Sequence, residues 1–205
     1  MSRRSKNAII LVCVLVAVVL VLIDRSFCPF KSAPSNDVVT RSPSDFAKYH
    51  KQSFRVTYVV DGDTIDIDVP DSDRSNTRLR LLGIDTPETK HPRMGKMHFG
   101  SQASEYTSKM TLNKKVTIYL DTVANQRDKY GRLLCYVYLE DGQVLNELLV
   151  SQGYAYADLR FKHSFYNKYK TLQNQAKKNQ LGLWKNVTTD DLPAWLIERK
   201  PGILN

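Results

Sequence analysis

Cysteine is scarce. Cys13, Cys28 and Cys135 are the only three in 205 residues, and no two form a CxxC pair. That spacing speaks against a zinc site. Cys28 and Cys135 could pair in an oxidising compartment, but a buried free thiol at Cys135 is the plainer reading. Acid is also short, with 21 Asp and Glu against 30 Lys and Arg and a net charge of +9. A surplus of that size suits an anionic partner, either nucleic acid or a membrane surface. No internal repeat is present, which excludes a repeat array. With 42% hydrophobic and 25% charged residues, the chain is also far from the disordered class. Its length suits one ordinary domain with appendages.

Charge is absent altogether from residues 8–23, "AIILVCVLVAVVLVLI". Arg3, Arg4 and Lys6 precede this run, and Asp24 and Arg25 close it. It is long for a signal-peptide core and short for a membrane span, and no small-x-small cleavage site follows. Residues 1–30 therefore read as an uncleaved signal anchor, with a cleaved signal peptide as the alternative. The positive flank keeps the N-terminus in the cytoplasm and sends the rest across. Residues 31–53 mix serine, proline and both charges without periodicity and read as a tether.

From Phe54 the pattern becomes that of a folded domain. "FRVTYVV", "TIDIDV" (64–69), "TRLRLLGI" (77–84), "KKVTIYLD" (114–121) and "RLLCYVYLE" (132–140) are five strand candidates. Helical spacing appears over 101–112, 142–152 and 164–180. Gly153 closes the second helix, and Phe165, Tyr169, Leu172 and Ala176 form a core-facing stripe on the third. The order predicts an α+β domain on a small closed barrel, for which the five-stranded oligonucleotide-binding (OB) type is one solution. Residues 188–205, with "LPAWLIERKPG", read as an extension packed on the domain or on a membrane.

Two acidic clusters bracket the second and third strands. "DGDT" (61–64) lies at the first turn, and Asp85, Thr86 and Glu88 follow the apolar run ending at Ile84. Asp61 and Asp63 require a cation, hydrogen bonds or water. Asp63, Asp85 and a carbonyl such as that of Thr86 make an oxygen set suited to a hard cation such as calcium. A plain acidic turn is the alternative for "DGDT". Asp66 and Asp68 read as solvated strand positions. Arg80 alternates with Leu79 and Leu81 and offers a planar fork for phosphate, or for a structural carboxylate. "DKYGR" (128–132) brings Arg132 to another strand edge. Two guanidiniums, a dication and Glu88 as proton acceptor form a coherent set for phosphodiester hydrolysis.

"DGDT", "RLLGIDTPETKHP", "DKYGR" and "QAKKNQLGLW", in that order and spacing, resemble the staphylococcal nuclease (thermonuclease) family over about residues 54–187. The resemblance implies an OB-type barrel with three helices and calcium-dependent endonuclease cleavage of DNA and RNA, leaving 3′-phosphate ends. By the same resemblance Asp63, Asp85 and the Thr86 carbonyl are calcium ligands and Asp61 supports them. Glu88 is the general base, Arg80 and Arg132 bind phosphate, and Lys129 and Tyr130 contact the nucleotide. The family usually carries two tyrosines after its second helix. Leu159 and Phe161 stand there instead, so Phe161 keeps only a stacking face. Seven Lys and Arg and no acid occupy 160–185, either as a backbone track or as a solvated face. A non-catalytic nucleic-acid-binding module of the same fold is the rival reading, and a structural protein that uses calcium for stability is another.

Overall fold

The computed structural model describes residues 42–89 and 97–204. Five strands close into a barrel in the order β1-β2-β3-β6-β5: β1 (Gln52–Asp61), β2 (Thr64–Ile67), β3 (Thr77–Leu81), β5 (Lys115–Tyr119) and β6 (Leu133–Tyr138). The long β1 pairs with β5 through its first half and with β2 through its second. Register shifts after Val56 and Val59 bend it between the two partners. Parallel pairing of β3 with β6 closes the barrel, setting Arg80 opposite Leu134. Val56, Ile65, Ile67, Leu79, Leu81, Ile118, Leu133 and Val137 fill the interior, so apolar burial holds the barrel shut. Cys135 is buried there too.

The three expected helices are α2 (Gly100–Thr111), α3 (Leu145–Ser151) and α4 (Tyr166–Lys178). Gly153 has φ +75° just beyond α3, a conformation that glycine adopts without strain. Tyr169 and Ala176 of the α4 stripe are buried as expected.

Several expectations are corrected. The described part of 31–53 is not a tether. Ser42 caps a short helix, α1 (Pro43–Tyr49), by accepting from the Asp45 N–H at 3.3 Å, and Pro43 occupies its first turn. Tyr49 is buried in the barrel core, and β1 begins at Gln52 rather than Phe54. The strand expected over 77–84 ends at Leu81. After a turn at Gly83, Ile84–Asp85 form β4 and pair with β7 (Tyr156–Ala157) outside the barrel. Asp66 is not solvated but only 2% exposed. It faces Arg78 across the β2–β3 ladder and takes its Nε and Nη2 at 2.8 and 2.9 Å, and this fork is what permits its burial.

The C-terminal residues pack on the domain. A last helix, α5 (Ala194–Arg199), joins Leu192 and Leu196 to a second apolar cluster with Tyr156, Ala176, Leu183 and Trp184. The anchor expected over 8–23 lies outside the described residues, as does Cys28. Among the described residues no helix is long and apolar enough to cross a membrane.

Candidate active site

The site forms where β3 leaves the barrel. Thr64 and Arg80 are partners in the β2–β3 ladder, so the "DGDT" turn and the third strand arrive side by side. Gly62 is required there for space. A Cβ on it would stand 2.8 Å from the Thr86 methyl and 3.0 Å from Ala103 of α2. Thr107 of α2 donates to the Gly62 carbonyl at 2.6 Å and pins the turn to the helix. The φ of Gly62 is not positive, so glycine supplies space here rather than backbone freedom.

Beyond Leu81 the chain is held by buried Asn146. Its amide nitrogen donates to the Leu82 and Cys135 carbonyls at 3.0 and 3.2 Å, while its oxygen accepts from Val137 N at 3.0 Å. The Gly83 turn then packs so closely on the His163 ring that no side chain fits. β4 emerges with Asp85 paired to Tyr156. Rigid partners on both sides thus fix the position of Asp85.

Arg80 lies at the centre. Its Nη1 is 2.6 Å from Asp63 Oδ2 and its Nη2 is 2.7 Å from Asp85 Oδ1. Asp63 also accepts from Thr64 Oγ1 at 3.0 Å and from the Thr86 N–H at 2.8 Å. Asp61 accepts from the Asp63 N–H at 3.2 Å. Burial raises the carboxyl of Asp61 to about 7, with neighbouring Asp63 adding to the effect. Burial likewise raises Asp85 to about 6, against the opposing pull of Arg80. A cluster whose negative charge exceeds what one guanidinium offsets fits an oxygen-bound dication. Among the described residues no three acidic, histidine or cysteine side chains make a metal site alone. Asp63 and Asp85 are the carboxylates that could hold such an ion, with backbone or water oxygens completing its shell.

The other expected residues stand apart from this knot. Glu88 is exposed, three residues beyond Asp85, and its carbonyl accepts from Met97 N at 3.0 Å. Arg132 reaches Asp128, Nε to Oδ2 at 2.7 Å, and its guanidinium lies 5.4 Å from the Tyr130 ring centre. It directly precedes β6, two residues before Leu134, the β6 neighbour of Arg80. Lys129 covers the same Tyr130 ring at 5.0 Å, and Tyr130 is 66% exposed. Phe161 is 63% exposed, whereas Leu159 is only 7% exposed and belongs to the core. Of the two replacements for the family's tyrosines, only Phe161 offers a ring face to solvent.

Two contacts were not anticipated. Arg160 Nη2 lies 3.4 Å from Asp85 Oδ2, and the same guanidinium grips Asp158 through Nε and Nη2 at 2.8 Å each. Trp195 of α5 donates its Nε1–H to Asp85 Oδ2 at 2.8 Å. Arg160 had been visible only as one cation in a basic run, and Trp195 only as one apolar residue near the C-terminus.

Comparison with known proteins shows the family. A family model described as staphylococcal nuclease homologue matches residues 78–186. The thermonuclease of Staphylococcus hyicus is 31% identical over 187 residues, covering 91% of this chain and all of that protein. The thermonuclease of Staphylococcus intermedius is 39% identical over 65% of this chain and 77% of its own length. An uncharacterized endonuclease of Escherichia coli is 35% identical over 69% of this chain and 82% of its own length. The matched segment runs from the strand carrying Arg80 to just beyond Trp184, and the chain belongs to the staphylococcal nuclease family.

Proposed function

We propose that the chain is a calcium-dependent endonuclease that hydrolyses phosphodiester bonds of DNA and RNA and leaves 3′-phosphate ends. Single-stranded or denatured nucleic acid is the preferred substrate. The observation that carries this reading is the joint hold of Arg80 on Asp63 and Asp85, 2.6 and 2.7 Å away, at the end of a barrel strand. The thermonuclease and endonuclease names of the relatives support the reaction class.

Asp63, Asp85 and the Thr86 carbonyl would hold the calcium ion, and Asp61 would support Asp63 through its backbone N–H. When bound, calcium supplies Lewis-acid stabilisation of the negative charge growing on the phosphate. Arg80 turns part of its fork towards a phosphate oxygen, and the two aspartates keep that fork in place. Asp128 engages the Nε of Arg132, which leaves the terminal amino groups for a second oxygen. Both arginines stay charged throughout and act by electrostatics, not by proton transfer. Glu88 takes a proton from the attacking water as its oxygen bonds to phosphorus. The bond from phosphorus to the 5′ oxygen then breaks, water protonates that oxygen, and the phosphate remains on the 3′ side.

Tyr130 and Phe161 offer exposed rings on which bases can stack, and Lys129 lies beside Tyr130. The net charge of +9 favours capture of the polyanion. With residues 8–23 as a membrane anchor, the nuclease domain would lie outside the cytoplasm. End-group analysis of digested DNA and RNA tests the chemistry. The expected products carry 3′-phosphate and 5′-hydroxyl ends, and 5′-phosphate ends would contradict the assignment.

A further inference from the structure

The chain contains two tryptophans, and their indole N–H groups are used differently. Trp184 is buried in the second apolar cluster, and its Nε1 has no hydrogen-bond partner among the described residues. Trp195 lies beyond the segment matched by the family, on α5, and donates to Asp85 Oδ2 at 2.8 Å. Its ring also lies under the Arg160 guanidinium, 4.4 Å from ring centre to Cζ. Arg160 reaches the same carboxylate oxygen at 3.4 Å.

α5 is seated firmly. Leu192 and Leu196 are buried against Tyr156, the β7 residue paired with Asp85. Arg199 Nη1 donates to the Leu159 carbonyl at 3.2 Å. Packing therefore brings Trp195 to the carboxylate, and a phenylalanine would meet the packing requirement equally well. What the indole adds is a hydrogen bond to a charged acceptor in a partly buried place, where such bonds are strong. With Oδ1 on Arg80 and Oδ2 on Trp195, the Asp85 carboxylate is fixed in both position and rotation.

We propose that Trp195, aided by Arg160, is a positioning residue that holds Asp85 in its ion-binding orientation, so that α5 is part of the active site. The inference rests on Asp85 being a calcium ligand. Groups that orient a metal-binding side chain from behind are worth about 10–100-fold in metal affinity.

Calcium titration of the full-length protein by calorimetry tests it against Trp195→Phe, which keeps the ring and removes the donor. The variant should bind calcium at least about tenfold more weakly and still fold, its metal-free melting temperature lowered only by the loss of one hydrogen bond. A second readout needs no variant. In the parent, the Trp195 indole N–H signal should lie at a hydrogen-bonded proton shift and move on addition of calcium, while the Trp184 signal stays still. Unchanged affinity in Trp195→Phe overturns the proposal. So does a Trp195 signal that ignores a calcium titration which saturates the protein, even if the variant fails to fold. A parent that binds no calcium overturns the metal reading itself and the proposal with it.

Discussion

Arg80 Nη1 lies 2.6 Å from Asp63 Oδ2, inside a site whose second carboxylate, Asp85, is held by the same fork. Removing the cation takes the shared partner from buried Asp63 and partly buried Asp85. Arg80→Met should destabilise the metal-free protein by about 3 kcal/mol. Calcium should restore more stability to this variant than to the parent, because the ion takes over the missing charge. Arg80→Lys keeps the charge but cannot span both aspartates and a phosphate, and should lower kcat by about 100-fold or more. Denaturant unfolding with and without calcium, together with steady-state kinetics, checks both outcomes.

Glu88 is exposed. Glu88→Gln should therefore leave stability within about 0.5 kcal/mol of the parent. As the proton acceptor it should lower kcat by about 100-fold or more with little change in KM. Equal losses in turnover and in substrate binding would contradict the assigned role.

Arg127 ties α1 to the loop that carries Lys129, Tyr130 and Arg132. It grips Asp45 through Nε at 2.6 Å and Asp71 through Nη1 at 2.7 Å, and it donates to the Gly131 carbonyl at 2.8 Å. Arg127→Met strands two acids and frees the loop, so it should cost about 2 kcal/mol of stability. It should also raise KM, because Lys129 and Tyr130 move with the loop, and lower kcat, because Arg132 is displaced with them. Thermal melts and a KM–kcat comparison on a defined oligonucleotide separate the two effects.

Acid should loosen the domain through His163. Tyr136 donates to Asp121 Oδ2 at 2.5 Å, so its hydroxyl accepts from His163 Nδ1 at 3.0 Å. The other ring nitrogen, Nε2, is buried without a partner. Burial lowers the His163 pKa below its ordinary 6.5, outweighing Asp121 and Asp158. The unfolded chain then binds the proton more readily than the folded one. The contribution is complete above about pH 6.5 and is lost as pH falls from there through the folded value. Asp121 opposes its own burial with the bonds from Tyr136, Ser164, Val123 and Ala124, and its pKa is lowered. Its contribution is present above the ordinary carboxylate value and is lost at still lower pH. Asp61 and Asp85, raised to about 7 and about 6, act in the opposite sense over the same range, so the histidine is read from a difference: the unfolding free energy of the parent relative to that of His163→Gln should fall as pH is lowered from 7 to 5.

The barrel was legible because its strands carry local signals. Ile65 and Ile67 alternate, Leu133, Cys135 and Val137 alternate, and all five are buried. The fate of Asp66 was not legible, since period-two alternation points it outwards. Its burial depends on donors ten and twelve residues on, the Asn76 amide and the Arg78 fork. The 43–49 helix had a readable start in Ser42 and Pro43, but seven residues are too few to show a periodic face. The break at Gly83 was hidden because its cause, the His163 ring, lies eighty residues away in sequence. Asp63, Arg80 and Asp85 were legible as a group because motif order brings them together. Arg160 and Trp195 were not, because the path to Asp85 runs through the packing of α5 on Tyr156 and Trp184, and no local pattern encodes that packing.

The most direct test of the central claim is to incubate the full-length protein with denatured DNA in calcium and in chelator, and to follow acid-soluble fragments. The account predicts release in calcium and none in chelator. DNA that is bound yet intact under both conditions, with RNA likewise uncut, would contradict it and leave a binding module of the same fold.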